Sequence, residues 1–282
     1  MTGFGNSSVT VCAIARDEGP YLLEWVAWYK FLAFDRIVIY DNESRDKSTG
    51  ILAALHRAGE IVHRPWPDRP GEQPQLPAYR DAVSRCSTEW IAFLDIDEFL
   101  VLHAMPRIAD LVQGLPEECS GVAFNQRFFG SAGLRHYDSR MVIERFTRSS
   151  RPDHILSVWI KSMVRARKVN AINSPHSCEL ASGYYAEPGG RRCDIEAVSW
   201  IREISFDVAQ YNHYILKSRA EYLDKRAKGR VDLEPGHPER FDKYTDEFFD
   251  LHDENVCEDI SAARWAELVR VERDRLARLC PG

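Results

Sequence analysis

Hydrophobic and polar positions along the first hundred residues switch repeatedly between two periods. Residues 8–15 form a nearly unbroken apolar, β-branched run around Val9, Val11 and Ile14, suited to a strand buried on both faces. After Arg16-Asp17-Glu18 the spacing changes: Leu22, Trp25, Val26, Tyr29 and Leu32 recur every three or four positions, which predicts a helix. Pro20 in its first turn and the acids at its start agree with a helix N-terminus. A second strand is predicted over residues 36–40 and stops at Asp41-Asn42-Glu43-Ser44, and a helix over residues 47–58 leads to a third strand near 60–63. The Pro-rich stretch 64–71 breaks all regularity. A helix over residues 77–86 then precedes a fourth strand, 89–94, which runs directly into Asp95-Ile96-Asp97-Glu98.

Strands separated by helices imply right-handed crossovers and a mostly parallel sheet of the α/β class. In such sheets ligands bind outside the carboxyl ends of the strands. Three of the four strand ends carry acids here: Asp17, Asp41, and Asp95 with Asp97. With 21 Asp in the chain, a D-x-D tripeptide arises by chance roughly 1.6 times, so its context carries the signal. Asp95 and Asp97 share one side of an extended chain, and paired carboxylates beside a buried strand repel unless a cation separates them. Hard oxygen ligands favour Mg2+ or Mn2+. No G-x-G-x-x-G follows the first strand and no G-x-x-x-x-G-K-[ST] occurs, so neither a dinucleotide fold nor a P-loop is supported.

Residues 119–215 predict a less regular sheet, with strands over 121–124, 140–146, 154–164 and 206–212. Aromatic and polar loops join them, among them Arg127-Phe128-Phe129-Gly130 and Ser182-Gly183-Tyr184-Tyr185, which suit either an acceptor cleft or the core. From Gly236 the chain becomes charged and predicts helices over 241–249 and 261–279. Arg264, Arg270, Arg273, Arg275 and Arg278 on the second offer a peripheral contact with an anionic membrane. The interspersed Glu267, Glu272 and Asp274 suit a solvated helix packed on the domain.

Composition narrows the function class. A net charge of −6 and a pI near 5.9 argue against a sequence-independent nucleic-acid binder. No apolar run approaches the roughly 18–20 residues of a membrane span, and MTGFGNSSVT has neither a basic nor an apolar leader region. A cytoplasmic protein is expected, at most peripheral at the inner face of the membrane. The seven cysteines are odd in number and include no C-x-x-C, so a disulfide framework is not expected. His176, Cys178 and Cys193 lack a fourth ligand and the spacing of a zinc finger.

Four ordered stretches resemble one family. Ile14-Ala15-Arg16-Asp17-Glu18, Ile39-Tyr40-Asp41-Asn42-Glu43-Ser44, Trp90-Ile91-Ala92-Phe93-Leu94-Asp95-Ile96-Asp97-Glu98 and His213-Tyr214-Ile215-Leu216-Lys217-Ser218 look like the GT-A glycosyltransferases. More narrowly, they are similar to the family-2-like bacterial enzymes related to glycosyltransferase family 92. Phe129-Gly130-Ser131-Ala132-Gly133 also looks like that group's acceptor-side loop. The resemblance spans residues 8–232 and implies a GT-A-like (Rossmann-like) mixed sheet flanked by helices in one large domain. Its nucleotide-sugar half would be residues 1–118, its acceptor half 119–235, and a helical extension 236–282. It further implies Asp17 and Asp41 at the base and ribose of a nucleoside diphosphate sugar, and Arg80 and Lys217 at its phosphates or sugar. Asp95 and Asp97 would lie at a Mn2+ or Mg2+ ion, with His213 as a further ligand. Where the group commonly shows K-N-E, this chain has Arg16-Asp17-Glu18, and Asp cannot donate as Asn can.

The implied reaction moves a sugar from a UDP-sugar donor to a hydroxyl of a glycan or lipid-linked acceptor with inversion. Inversion requires a base for the acceptor proton, for which Glu144, Asp138, Glu179 and His176 are candidates. Two rivals are a sugar-nucleotide nucleotidyltransferase and a domain that binds sugar nucleotides or glycans without turnover. The first would want a glycine-rich loop after the first strand, and Arg16-Asp17-Glu18 is not one.

Overall fold

The computed structural model describes residues 7–69, 71–104, 107–197, 199–230, 233 and 236–280. Strands Val9–Ala15 (β1), Arg36–Asp41 (β2), Val62–Pro65 (β3) and Trp90–Phe93 (β4) are parallel in the order β4-β1-β2-β3. Helices Gly19–Phe31 (α1), Ser48–Arg57 (α2) and Gln75–Ser84 (α3) alternate with them. The chain continues through Glu98–Leu102 (β5), Ile108–Gln113 (α4), Cys119–Phe128 (β6), Val142–Arg145 (α5), Arg148–Ser149 (β7) and Ile160–Arg165 (β8). Short strands Val169–Ala171 (β9), Glu179–Leu180 (β10), Tyr184–Ala186 (β11) and Arg192–Cys193 (β12) precede Ala209–His213 (β13). Helices Arg219–Lys228 (α6) and Asp246–His252 (α7), strand Cys257–Glu258 (β14) and helix Ala266–Ala277 (α8) complete the described elements.

β8 lies antiparallel to both β4 and β6 and joins the parallel strands to the rest of the sheet. The length of β6 lets it serve different neighbours along its course. Its first part pairs with β8 and β11, and Gln126, Arg127 and Phe128 pair with β13. β13 runs antiparallel to β5 and sets His213 opposite Glu98. The outcome is a mixed sheet flanked by helices, as the resemblance implies.

The periodicity of α1 predicts one buried stripe, yet Trp25, Val26, Ala27, Trp28 and Tyr29 are all buried. The reason is α8, whose Val269 and Leu276 are buried in the same core as α1, while Trp265 meets Phe31 at 5.3 Å between ring centroids. Glu60 bridges Lys30 of α1 and Arg275 of α8 at 2.5 Å each. The arginine-rich helix is therefore packed on the domain along one side, with Leu268 and Val271 left exposed. Among the described residues no helix is long and apolar enough to cross a membrane.

α1 also fixes the backbone that follows β4. The Trp25 indole donates to the Asp95 and Glu98 carbonyls at 3.0 and 3.2 Å, and Trp28 donates to the Leu100 carbonyl at 2.8 Å. The Tyr29 hydroxyl donates to the Glu98 carbonyl and accepts from the Leu100 N–H. Burying these polar groups without such partners would be costly, so the loop geometry is tied to helix packing.

Within residues 140–146 the chain forms a short helix, Val142–Arg145, rather than the expected strand. The buried Glu24 carboxylate accepts from the Val142 and Ile143 N–H groups, and Glu144 accepts from the Met141 N–H. These bonds satisfy a helix N-terminus where a strand would need a neighbour. The expected strand over 154–164 is shortened likewise: a turn of 3-10 helix, Ile155–Val158, precedes β8. The charged stretch 241–249 divides into a 3-10 turn, Pro238–Phe241, and α7.

Gly121 on β6 lies under the Tyr185 ring, and an added Cβ would stand 2.4 Å from it. That ring cannot swing away freely, because its hydroxyl is bonded to the Cys178 N–H and carbonyl at 2.9 and 2.8 Å. Gly121→Ala is expected to destabilise the protein by ~1–3 kcal/mol through overpacking, read as a lowered midpoint in urea. An unchanged midpoint would show that the Tyr185 side relaxes.

Candidate functional site

The carboxyl ends of β1, β2 and β4 converge on a cleft of about 220 Å³ whose lining includes Arg16, Asn42, Gln75, Asp95, Asp97, His176, His213 and Lys225. A second cavity of about 510 Å³, with Asp17, Tyr21, Lys217 and Lys228 in its walls, shares Glu18, Ile215 and Lys225 with the first. Sequence separations above one hundred residues are closed here by β13: the Tyr214 N–H donates to the Asp97 carbonyl at 2.9 Å, pinning His213 beside the acidic loop.

The two aspartates of that loop have different cations. Lys161 of β8 donates to Asp95 Oδ2 at 2.9 Å and lies 3.2 Å from Glu98 Oε2. Gln75 of α3 donates to Asp95 Oδ1 at 2.9 Å. Burial opposes the charge of Asp95, yet Lys161 holds its carboxyl below the ordinary range. One ammonium serves two carboxylates, and burial pushes the Glu98 carboxyl up to about 8. Lys161 is buried too, but Asp95 and Glu98 keep its proton on and raise it.

Asp97 receives Lys225 of α6 on Oδ2 at 2.7 Å. Against burial, Lys225 and then Lys217 hold its carboxyl well below the usual range. Its other oxygen, Oδ1, lies 3.7 Å from His213 Nε2. The tautomer of His213 follows from its far side. Gln126 gives its amide N–H to the Leu156 carbonyl, so its oxygen faces Tyr211 and His213, and His213 Nδ1 donates to it at 2.7 Å. Burial lowers the His213 imidazole to about 3, so it is neutral and Nε2 carries a lone pair. Two acceptors, a carboxylate oxygen and an imidazole nitrogen, thus face one another.

That donor set fits a divalent cation: a hard carboxylate oxygen, and an imidazole oriented by an outer hydrogen bond. Among the described residues no three His, Cys, Asp or Glu side chains surround one point. Asp95 lines the same cleft, but its oxygens are taken by Gln75 and Lys161.

The loops after β1 and β2 are zipped together. Asp17, in the left-handed region at φ 55°, accepts from the Arg45 N–H at 2.6 Å and the Asp46 N–H at 3.2 Å. Asp tolerates that conformation better than most residues. An oxygen acceptor serves these N–H groups, which Asp or Asn supplies equally. Asp41 accepts from the Ser44 N–H at 3.1 Å and the Thr49 hydroxyl at 2.7 Å and lies 3.6 Å from His63 Nε2. Although burial opposes it, those bonds hold its carboxyl well below the carboxylate range. Asp41 thus builds the turn, and the neighbouring Asn42 faces the cleft. Arg16 donates to Asn42 Oδ1 and Asp68 Oδ2 at 3.2 and 2.8 Å, and Asn42 donates to Asp68 Oδ1 at 2.8 Å.

Lys217 sits at φ 56° with its ammonium 4.3 Å from the centre of the Tyr21 ring, and burial lowers its pKa. Lys228 donates to the Asp17 carbonyl. The remaining candidates lie elsewhere or act indirectly. Arg80 donates to the Ile172 carbonyl at 2.8 Å and so supports the segment that carries His176. Glu144 pairs with Arg270, Asp138 with Arg140 at 2.7 Å, and Glu179 accepts from Asn170 at 2.6 Å; none of the three lines the cleft. His176 does line it. Its Nδ1 donates to the Ile160 carbonyl at 2.9 Å, and burial lowers the imidazole to about 4.

Sequence reasoning missed Lys161, Gln75, Gln126 and Asn42. Only Lys161 left a signal, a lysine among apolar residues of a strand, Ile160-Lys161-Ser162-Met163-Val164.

The model of glycosyltransferase family 92 matches residues 7–215. A family 92 protein of Ricinus communis is 28% identical over 181 residues, which cover 62% of this chain and 32% of that protein. Another, of Oryza sativa subsp. japonica, is 27% identical over 182 residues, covering 62% and 30%. These similar proteins are plant rather than bacterial, and the matched region spans about a third of their length. Among solved structures, a mannosyltransferase from Pyrobaculum calidifontis, in complex with GDP-Man and Mn2+, aligns with TM-score 0.35 and 15% identity over 56% of this chain and 44% of its own.

Proposed function

This chain belongs to glycosyltransferase family 92, and on that premise we propose that it transfers a sugar from a UDP-sugar to a hydroxyl of a glycan or lipid-linked acceptor, with inversion and with a divalent cation. The observation that carries the reading is the pair of facing acceptors, Asp97 Oδ1 and the neutral His213 Nε2, in a cleft walled by lysines.

Asp97 and His213 would hold Mn2+ or Mg2+, which neutralises charge on the departing diphosphate. Gln126 keeps the His213 lone pair aimed at the cleft by accepting from Nδ1. Lys225 and Lys217 place positive charge on the same side, where an anionic leaving group gains most from it in a partly desolvated site. Lys161 keeps Asp95 ionised without adding net negative charge to the floor. Arg16 and Asn42, at the β1 and β2 ends, offer donors and acceptors to a base edge. We assign proton acceptance from the acceptor hydroxyl to His176, whose Nδ1–H is held by the Ile160 carbonyl so that Nε2 is the basic atom.

The test is UDP release from a panel of UDP-sugars, with and without neutral oligosaccharide acceptors. Release is expected with at least one donor, to stop on chelation with EDTA and to return with Mn2+. Formation of a nucleoside triphosphate from sugar nucleotide and pyrophosphate would instead identify a nucleotidyltransferase. Donor binding with no turnover of any donor would identify a binding domain.

A further inference from the structure

Beside the cleft, the cavity of about 510 Å³ shares Glu18, Ile215 and Lys225 with it as common walls. Most of the charge in the walls of this cavity is matched. Asp17 accepts from the Arg45 and Asp46 N–H groups, Glu221 is paired with Arg145 and Lys225 with Asp97, and Lys228 donates to the Asp17 carbonyl.

Glu18 and Lys217 are the exceptions among its buried and half-buried side chains. Neither the Glu18 carboxylate nor the Lys217 ammonium makes a hydrogen bond or an ion pair with a described residue. Lys217 is more than nine-tenths buried, yet its ammonium is not sealed from water, and the residue lines this cavity and not the cleft. The Tyr21 ring, its centre 4.3 Å away, covers one side of the ammonium and leaves further N–H groups without an acceptor. Ser218 and Glu221 cap α6 directly after Lys217, so the turn that carries it is set before a ligand arrives. Charges withdrawn from water without partners are costly, and these two have opposite signs but do not reach one another.

Their chemistry selects what lies between them. A carboxylate only accepts and an ammonium only donates, whereas a hydroxyl does both at once. A phosphate or carboxylate placed there would meet Glu18, and an amine would meet Lys217. A neutral sugar fits. Position selects which sugar. His176, assigned above as the base, lines the cleft and not this cavity, so the acceptor hydroxyl enters by the cleft. The donor sugar is tied to a diphosphate beside Asp97 and His213, and Glu18 walls both spaces, so its ring reaches from one into the other.

We propose that Glu18 and Lys217 form the subsite for the transferred sugar and select a neutral sugar over a uronic acid. The subsite depends on the UDP-sugar reading of the cleft, and binding measurements separate the two. Calorimetric titration of the full chain with Mn2+ compares UDP, UDP-glucose, UDP-galactose and UDP-glucuronic acid. The wild type is expected to bind at least one neutral UDP-sugar ~10-fold more tightly than UDP-glucuronic acid, the scale of one charge-assisted hydrogen bond. Glu18→Gln, which keeps the shape of the side chain, is expected to shrink that preference by ~10-fold by removing the repulsion of the uronate. Lys217→Met, equally unbranched at a left-handed position, is expected to weaken the neutral UDP-sugar by ~10-fold relative to UDP. A merely structural role would weaken UDP and every UDP-sugar alike. UDP binding without a preference for neutral sugars in the wild type would overturn the subsite and leave the reading of the cleft intact. So would a preference unchanged in both variants, including one in which only the KM for an oligosaccharide acceptor rises. Absence of any UDP binding would overturn both.

Discussion

Asparagine at position 97 is expected to leave the protein folded and to reduce donor turnover by ~10²–10³-fold, the usual cost of removing one electrostatic group from a reacting site. The substitution keeps the shape of the side chain and the acceptor that Lys225 needs at 2.7 Å. It removes the charge that faces His213 across 3.7 Å. Because Lys225 holds the Asp97 carboxyl far below the usual range, the wild type carries this charge throughout the pH range of any practical assay. The loss should therefore not be rescued by raising pH. Direct Mn2+ binding, measured by calorimetry with UDP present, should weaken in parallel. Unchanged UDP release in Asp97→Asn, with the melting midpoint also unchanged, would remove Asp97 from the metal site.

The second large effect is on stability. Arg145 and Glu221 form a bidentate pair at 2.7 and 2.9 Å, with side chains only 1% and 4% exposed. Breaking a buried pair by removing one partner typically costs ~3–5 kcal/mol, because the other charge is stranded, and Arg145→Met should lose about that much at neutral pH. Glu221 has further duties: it accepts from the Ser218 N–H and hydroxyl at the start of α6 and from Tyr21 at 2.9 Å. These contacts fix the turn that carries Lys217. Despite burial, Arg145 and Ser218 hold the Glu221 carboxyl below its ordinary value. A depressed carboxylate stabilises the fold above its unfolded pKa and loses that contribution as pH falls through the folded value. The gap between wild type and Arg145→Met should therefore narrow on acidification below the ordinary glutamate range. Adding Glu221→Gln to Arg145→Met should recover much of the loss. If the double variant is as unstable as the single one, the cost lies in packing rather than in a stranded charge.

Periodicity identified β1, α1, β2, α2 and β4 because each is a local pattern whose burial follows from its own residues. It failed at residues 140–146, where Glu24, more than one hundred positions upstream, supplies the acceptors that make a helix N-terminus. It also misjudged α1, whose second apolar side is intelligible only once α8 covers it. At the site, the acidic tripeptide and His213 were legible as residue types in a known order. The cations that make the acids tolerable were not, since Lys161 and Lys225 come from a distant strand and helix.

The acids at strand ends were visible in the chain itself, because a strand that stops at a carboxylate announces a sheet edge and a place for charge. Which acid is free to act was decided in three dimensions. Asp41 and Asp17 are consumed by neighbouring N–H and hydroxyl groups, and Asp95 by Gln75 and Lys161. Asp97 presents an oxygen to His213, an imidazole that lines the cleft with it. A hydrogen bond or an ion pair depends on distances of a few ångströms between residues far apart in the chain. The sequence determines that such groups exist, and only the packing of α1, β8, β13 and α6 determines which of them meet.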